Sequence, residues 1–230
     1  MTSTTTTTTA PAPSVDAPRH EGAAFWDRLA EKYARQPVAN PGAFERKIAI
    51  TRALMGPDSV VLDAGCGTGS LALRLASAGA EVHGLDISSE MIRIARGKAQ
   101  AAGDAAVNVT FHEGVLDDTF DALAPGSLDG VCAYSILHLL QDPGDALARM
   151  HRLLAPGGFL VASTACLRES WVPYAPILKV MRWMGKAPWV GHLSKEDVRE
   201  LVTRAGFVDI TEPDVGAEKS ISFVVAHKPG

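Results

Sequence analysis

Apolar and polar positions along the chain follow two periods in turn. "FWDRLAEKYARQ" (25–36) and "GAFERKIAITRALM" (42–55) space apolar residues three and four apart, which predicts two amphipathic helices. "SVVLDAG" is short, β-branched and bounded by glycine, and predicts a buried strand. Helix-period and strand-like segments then alternate. "GSLALRLASAG" predicts a helix closed by Gly79, and "AEVHGLD" a second strand. "SSEMIRIARGKAQAAG" predicts a helix with Ser88 as N-cap and Met91, Ile92, Ala95 and Ala99 as its apolar stripe. Strands are expected at 107–114, 128–135 and 157–164, and a helix at 143–155 with Pro143 in its first turn. A helix over 194–206 carries a capping-box pattern in Ser194 and Asp197, and Gly206 stands at its end. "FVDITEP" and "SISFVVAHK" close the chain as a strand pair.

Strand–helix–strand units of this length predict an α/β fold with a doubly wound, seven-stranded, mainly parallel sheet. The connection "TEPDVGAEK" is too short for a parallel crossover, so the last strand is expected to run antiparallel.

Composition changes this picture only at the edges. The chain has 230 residues, 47% hydrophobic and 21% charged, which fits one soluble domain of the larger kind. Residues 1–20 are a Thr/Ala/Pro tract without aromatic residues, expected to be disordered. Residues 21–230 then form one domain, with a helical cover at 21–56 and an insertion at 166–193. The net charge of −4 gives no basic footprint for nucleic acid. The most apolar stretch, "VCAYSILHLL", is far short of the ~20 residues that cross a bilayer. Cys66, Cys132 and Cys166 form no CxxC pair, which argues against a disulfide framework or structural metal site and for a reducing cytoplasm.

The chemistry concentrates in "VLDAGCGTGS" (61–70), where Gly65, Gly67 and Gly69 follow the first strand. In such sheets ligands bind at the carboxyl ends of the strands, where strand order reverses, and glycines let a ligand approach bare backbone. A dinucleotide site wants Gly-x-Gly-x-x-Gly; here that third position is Ser70. A merely tight turn explains one or two glycines better than three plus Asp63.

With these residues the chain resembles the class I S-adenosylmethionine-dependent methyltransferases. "VLDAGCGTG" resembles their first motif and "VHGLDIS" their second. "LDGVCAYSILHLL" is similar to their fourth-strand segment, "LLAPGGFLVAST" to the turn before strand five, and "SKEDVRELVTRAGF" to their late helix. The resemblance covers residues 25–228 and implies S-adenosylmethionine as cofactor. It implies that Gly65, Gly67 and Gly69, with Cys66 among them, pass against the methionine part. Asp63 would orient the loop or approach the methionine ammonium through water. Asp86 would accept from both ribose hydroxyls. Ile87 and Met91 would cover the adenine, Met91 serving equally well as a core contact. Where relatives have an acid after strand three this chain has Val115, so backbone at Val115 and Leu116, or Asp117, would take that contact. Tyr134 and Ser135 would line the methionine end, and Tyr33 would close over the cofactor.

Methyl transfer from a sulfonium needs alignment more than acid–base chemistry. Tyr134 and His138 follow strand four and are the catalytic candidates; His138 could deprotonate a thiol or a phenol, or hold its loop through a backbone hydrogen bond. Segment 166–193 carries three of the four tryptophans. Ile177, Leu178, Met181 and Met184 predict an apolar lid over a small acceptor, the alternatives being core packing or, with Lys179, Arg182 and Lys186, a membrane-surface patch. The expected acceptor is small and apolar-leaning, a thiol first and a phenol or quinol second. The other class of function is a cofactor-binding module that has lost catalysis and acts through a partner. Metalloid methylation would need several cysteine ligands at the edge, and only Cys166 is placed for that.

Overall fold

The structure is a computed structural model that describes residues 22–169 and 188–230. The tail at 1–20 and most of the expected lid, with Ile177, Leu178, Met181 and Met184, lie outside the described residues.

Helices α1 (Ala23–Arg35) and α2 (Pro41–Ala53) precede the sheet. Strands β1 (Val60–Ala64), β2 (Glu81–Asp86) and β3 (Val109–Glu113) alternate with helices α3 (Ser70–Leu75) and α4 (Ser89–Ala102). Then come β4 (Leu128–Tyr134), α5 (Pro143–Leu153), β5 (Leu154–Ala165), α6 (Lys195–Arg204), β6 (Val208–Thr211) and β7 (Ile221–His227). The sheet order is β3-β2-β1-β4-β5-β7-β6. β1 pairs in parallel with β2 and β4, and β7 runs antiparallel to β5 and β6, as the short last connection required.

Both faces of the sheet are covered, which is why the strands read as apolar runs rather than alternations. Leu62, Val131, Leu160 and Val224 point into a core beneath α5 and α6. Val61, Cys132, Val161 and Phe223 point into a second core shared with α2, α3 and α4. The caps are those the sequence suggests. Ser88 Oγ accepts from Met91 N at 3.1 Å, and Ser194 and Asp197 form a complete capping box.

Two boundaries differ from expectation. Helix α3 gives way at Leu75 to a 3-10 turn, because the chain must drop against the preceding loop: Ala80 N donates to Ser59 O at 3.0 Å, and a Cβ on Gly79 would stand 2.8 Å from that carbonyl. Strand β5 starts at Leu154 rather than 157, because Leu154 pairs with Leu128 ahead of a register shift. Sheet order reverses at β1, between β2 and β4, so the crevice lies at the loops following β1 and β4.

Candidate active site

The loop after β1 turns through three glycines in left-handed backbone: Gly65 at φ 73°, Gly67 at φ 53° and Gly69 at φ 76°. Their surroundings differ. A Cβ on Gly65 would come 2.9 Å from Ile136, in the loop after β4. The Gly67 amide donates to Asp86 Oδ2 at 2.8 Å, and Tyr33 lies over its bare face, 3.6 Å from where a Cβ would be. A Cβ on Gly69 would strike Phe111 at 2.7 Å and Ala95 at 3.0 Å. The missing side chain of Gly69 lets α3 and α4 pack over β3, and the residue lines neither cavity described below.

A cavity of 620 Å³ opens on the β2 side of the loop. Its walls include Gly65, Asp86, Ile87, Val115, Leu116 and Ile136, with Phe25 and Trp26 of α1 above. Asp86 ends β2, and its carboxylate accepts from Ser88 N at 2.9 Å as well as from Gly67 N. Each oxygen has one bond from the backbone and retains capacity to accept another. Burial, its first cause, raises the Asp86 pKa, opposed by those amides. Asp117 does not line this cavity; it accepts from Thr119 N at 2.8 Å and closes its own turn.

A second cavity, of 430 Å³, opens on the β4–β5 side. Tyr33, Asp63, Cys66, Tyr134 and Ser135 all line it, and Gly65 belongs to both cavities. Asp63 is 2% exposed and its Oδ2 has no hydrogen-bond partner among the described residues. Burial pushes its pKa up to about 7, opposed by the Ala72 amide and reinforced by Asp86. Burial likewise holds the Cys66 thiol far above its ordinary range, so it is no nucleophile. Cys166, expected at the ligand edge, is wholly buried with its thiol directed to Thr164 O, and Cys132 is in the core.

Tyr134 is tied down. Thr51 Oγ1 donates to Lys47 O at 3.0 Å, so in the 2.9 Å contact between the two hydroxyls Tyr134 is the donor. Burial raises its pKa well beyond the ordinary phenol range. Its hydrogen is committed to Thr51, and its side chain walls the second cavity.

His138 follows β4. It sits in the 3-10 turn Leu137–Leu139 and lines neither cavity; burial lowers its pKa to about 4, and its Nδ1 lacks a partner among the described residues. Its carbonyl accepts from Gly191 N at 2.7 Å. A base must reach the proton it takes, and His138 walls neither cavity, although Ile136 and Leu139 on either side of it wall the first. Met91 resolves toward the core: it is buried on α4 and lines neither cavity.

Several wall residues carried no signal in the sequence. Lys47 and Ser163 meet in the second cavity, with Nζ donating to Oγ at 2.7 Å. Glu218 and Ile221 reach it from the segment that ends in β7. Trp189, one of the tryptophans of segment 166–193, reaches the first cavity.

Comparison with known proteins decides what kind of site this is. Residues 61–158 match the family model of a methyltransferase domain. Over these residues the chain is similar to a methyltransferase domain. It is 32% identical over 142 residues to a ubiquinone biosynthesis O-methyltransferase of Sodalis glossinidius, covering 62% of this chain and 55% of that protein. It is 36% identical over 104 residues to the protein of the same name from Thiobacillus denitrificans, covering 45% and 43%. The chain thus spans about half the length of the curated relatives it matches. Among solved structures, the phosphoethanolamine N-methyltransferase 2 of Haemonchus contortus superposes with a TM-score of 0.71 at 19% identity, over 92% of this chain and 60% of that one. The cyclase SpnF superposes with a TM-score of 0.63 at 19% identity, over 80% and 81%. These likenesses show the fold.

The crevice fits S-adenosylmethionine. Asp86 offers free acceptor capacity for a ribose in a cavity whose nearby walls, Ile87, Val115 and Leu116, are apolar. On the other side of Gly65, the unpartnered Asp63 oxygen is suited to a cation. No helix among the described residues is long and apolar enough to cross a membrane.

Proposed function

We propose that the protein is an S-adenosylmethionine-dependent O-methyltransferase acting on a small phenol or quinol. The observation that carries this reading is the meeting of two cavities at Gly65, one with an acceptor carboxylate and apolar walls, the other with a cation and hydroxyls. The cofactor supplies an activated methyl group. Asp86, Ile87, Val115 and Leu116 hold its nucleoside portion, and the loop at Gly65 and Asp63 holds its amino-acid portion. Tyr33, Tyr134 and Ser135 wall the space beyond and exclude water, so that this chain contributes position and dryness.

The phenolic hydroxyl here moves ahead of the thiol. The names of the curated relatives support it, and so does the chemistry of the second cavity. An ammonium and a serine hydroxyl suit a strong oxygen acceptor, whereas sulfur accepts hydrogen bonds weakly. The acceptor is a free small molecule and not a nucleic acid or a membrane lipid.

A second reading is a cofactor-binding module without methyl transfer. The superposition on a cyclase favours keeping it, since one fold serves several chemistries. The test measures S-adenosylhomocysteine release against catechols, hydroquinones, thiols and amines. Turnover concentrated on catechols or hydroquinones is the expected result. Tight cofactor binding with no turnover on any class selects the module, and turnover confined to thiols restores the opposite acceptor order.

A further inference from the structure

Lys47 is on the inner side of α2, half-buried, and reaches the carboxyl end of β5. The one hydrogen bond of its ammonium among the described residues runs from Nζ to Ser163 Oγ at 2.7 Å. Ser163 is 3% exposed, and having accepted from Lys47 it keeps its own hydrogen to donate. The ammonium is 5.9 Å from the centre of the Phe223 ring, a cation–π contact that helps to hold it in place. Ser163 pairs with Tyr134 across β4 and β5, and Ser135 N donates to Ser163 O at 2.6 Å. The pair therefore adjoins the residues after β4 that wall the methyl-transfer space.

The site holds more cationic donor capacity than the fold needs. Two ammonium hydrogens on Lys47 and one hydroxyl hydrogen on Ser163 remain for a ligand. The other titratable groups on this cavity's walls are Tyr33, Asp63, Cys66, Tyr134 and Glu218. Glu218 favours the charged form of Lys47, while burial, the larger influence, lowers its pKa. A half-buried ammonium of this kind gains most from a ligand that brings its own negative charge.

We propose that Lys47, braced by Ser163, receives the reacting hydroxyl of the acceptor as an oxyanion and so favours aryl hydroxyls, those of catechols and hydroquinones, over amines, which form no anion. This rests on the reading of the protein as a phenol or quinol methyltransferase. The step is a proton release: the aryl O–H gives its proton to water, and the oxygen keeps the electron pair beside the ammonium. No bond to carbon forms or breaks at this stage. Lys47 touches substrate, which makes it a catalytic residue in the sense of binding the nucleophile in its reactive form.

The test is a titration of the full chain with 4-nitrocatechol, without cofactor, below the free probe's own pKa, following the absorption band of its phenolate. The wild type is expected to generate the band on binding. Lys47→Met, which keeps an unbranched stem of similar length, is expected to lose the band and to bind about 10- to 100-fold more weakly. Lys47→Arg keeps the band. Ser163→Ala, which leaves the charge in place, weakens binding about 3- to 10-fold and serves as the second variant should Lys47→Met fail to fold, as read from its melting curve. A wild type that binds the probe without the band, or does not bind it, overturns the proposal. A Lys47→Met protein that keeps both band and affinity does so as well. Calorimetry with S-adenosylhomocysteine separates the two ideas. Normal probe ionisation at Lys47 in a protein with no affinity for that nucleoside overturns the methyltransferase reading alone. Undiminished catechol methylation by Lys47→Met overturns the role of Lys47 alone.

Discussion

The two cavities that meet at Gly65 differ in how their charged groups are held. The first is walled by apolar side chains of α1 and of the loops after β2 and β3, by Arg28, Asp142 and Asp145, and by Asp86, fixed by the amides of Gly67 and Ser88. The second gathers Lys47, Asp63 and Glu218 within a smaller volume, and Asp63 keeps a buried oxygen without a partner among the described residues. Satisfied polar groups make a rigid recognition surface, whereas unsatisfied ones await a ligand. The first cavity thus reads as the constant half of the site, made for a nucleoside. The second reads as the half where substrate choice is made.

The sharpest way to break this division is at the wall the cavities share. Gly65→Val places a branched side chain at φ 73° and within 2.9 Å of Ile136. Backbone strain and overpacking together should lower stability by about 2–4 kcal/mol, and binding of S-adenosylmethionine should be lost. Thermal denaturation and calorimetry check both; retained affinity would put the cofactor elsewhere.

Next in size is Asp86→Ala. Loss of charge-assisted bonds to the ribose should weaken S-adenosylmethionine binding by about 10- to 100-fold. Because the same carboxylate accepts from Gly67 N and Ser88 N, stability should also fall, by about 1–3 kcal/mol. An affinity change without any change in melting temperature would mean that those two bonds contribute nothing.

Asp63 sharpens the contrast through pH. Its folded pKa of about 7 lies above the ordinary carboxylate value, so the native state holds a proton that the unfolded chain has released. Stability from this group is fully present below about pH 4 and is lost as pH rises to about 7, beyond which it is constant. Asp63→Asn should remove that decline. Melting curves of both proteins between these limits should converge toward the acid end, the wild type losing ground as pH rises. Parallel curves would refute the raised pKa.

The smallest effect is expected at His138. Standing outside both cavities and neutral above about pH 4, it should tolerate His138→Ala with cofactor affinity and turnover changed by less than about threefold. A pH–rate profile that loses an inflection in this variant would return His138 to the chemistry.

Much of the first cavity was legible in the chain. The spacing of "VLDAGCGTG" and the aspartate closing "VHGLD" are local signals, because a strand handing over to a helix fixes where its next few residues go. Gly69 shows the limit of that reading. Its need for left-handed backbone is local, but the reason no side chain fits is Phe111, 42 positions along by the numbering and brought up only when β3 joins the sheet. His138 shows another. A histidine after strand four looks like a base until its burial and the cavity walls are known.

The sequence by itself determined the alternation of elements, the helix caps, the antiparallel last strand and the loop that turns at Gly65. Each of these depends on neighbours a few residues away, through dihedral preference, hydrogen-bond caps and hydrophobic period. Only the tertiary structure decided which side chains share the second cavity. Lys47 from α2, Ser163 from β5 and Glu218 from the segment before β7 have no common local pattern, and sheet order alone sets them side by side. A buried charge is costly unless a partner meets it, and that partner is chosen by packing across the sheet, at a range no local period can encode.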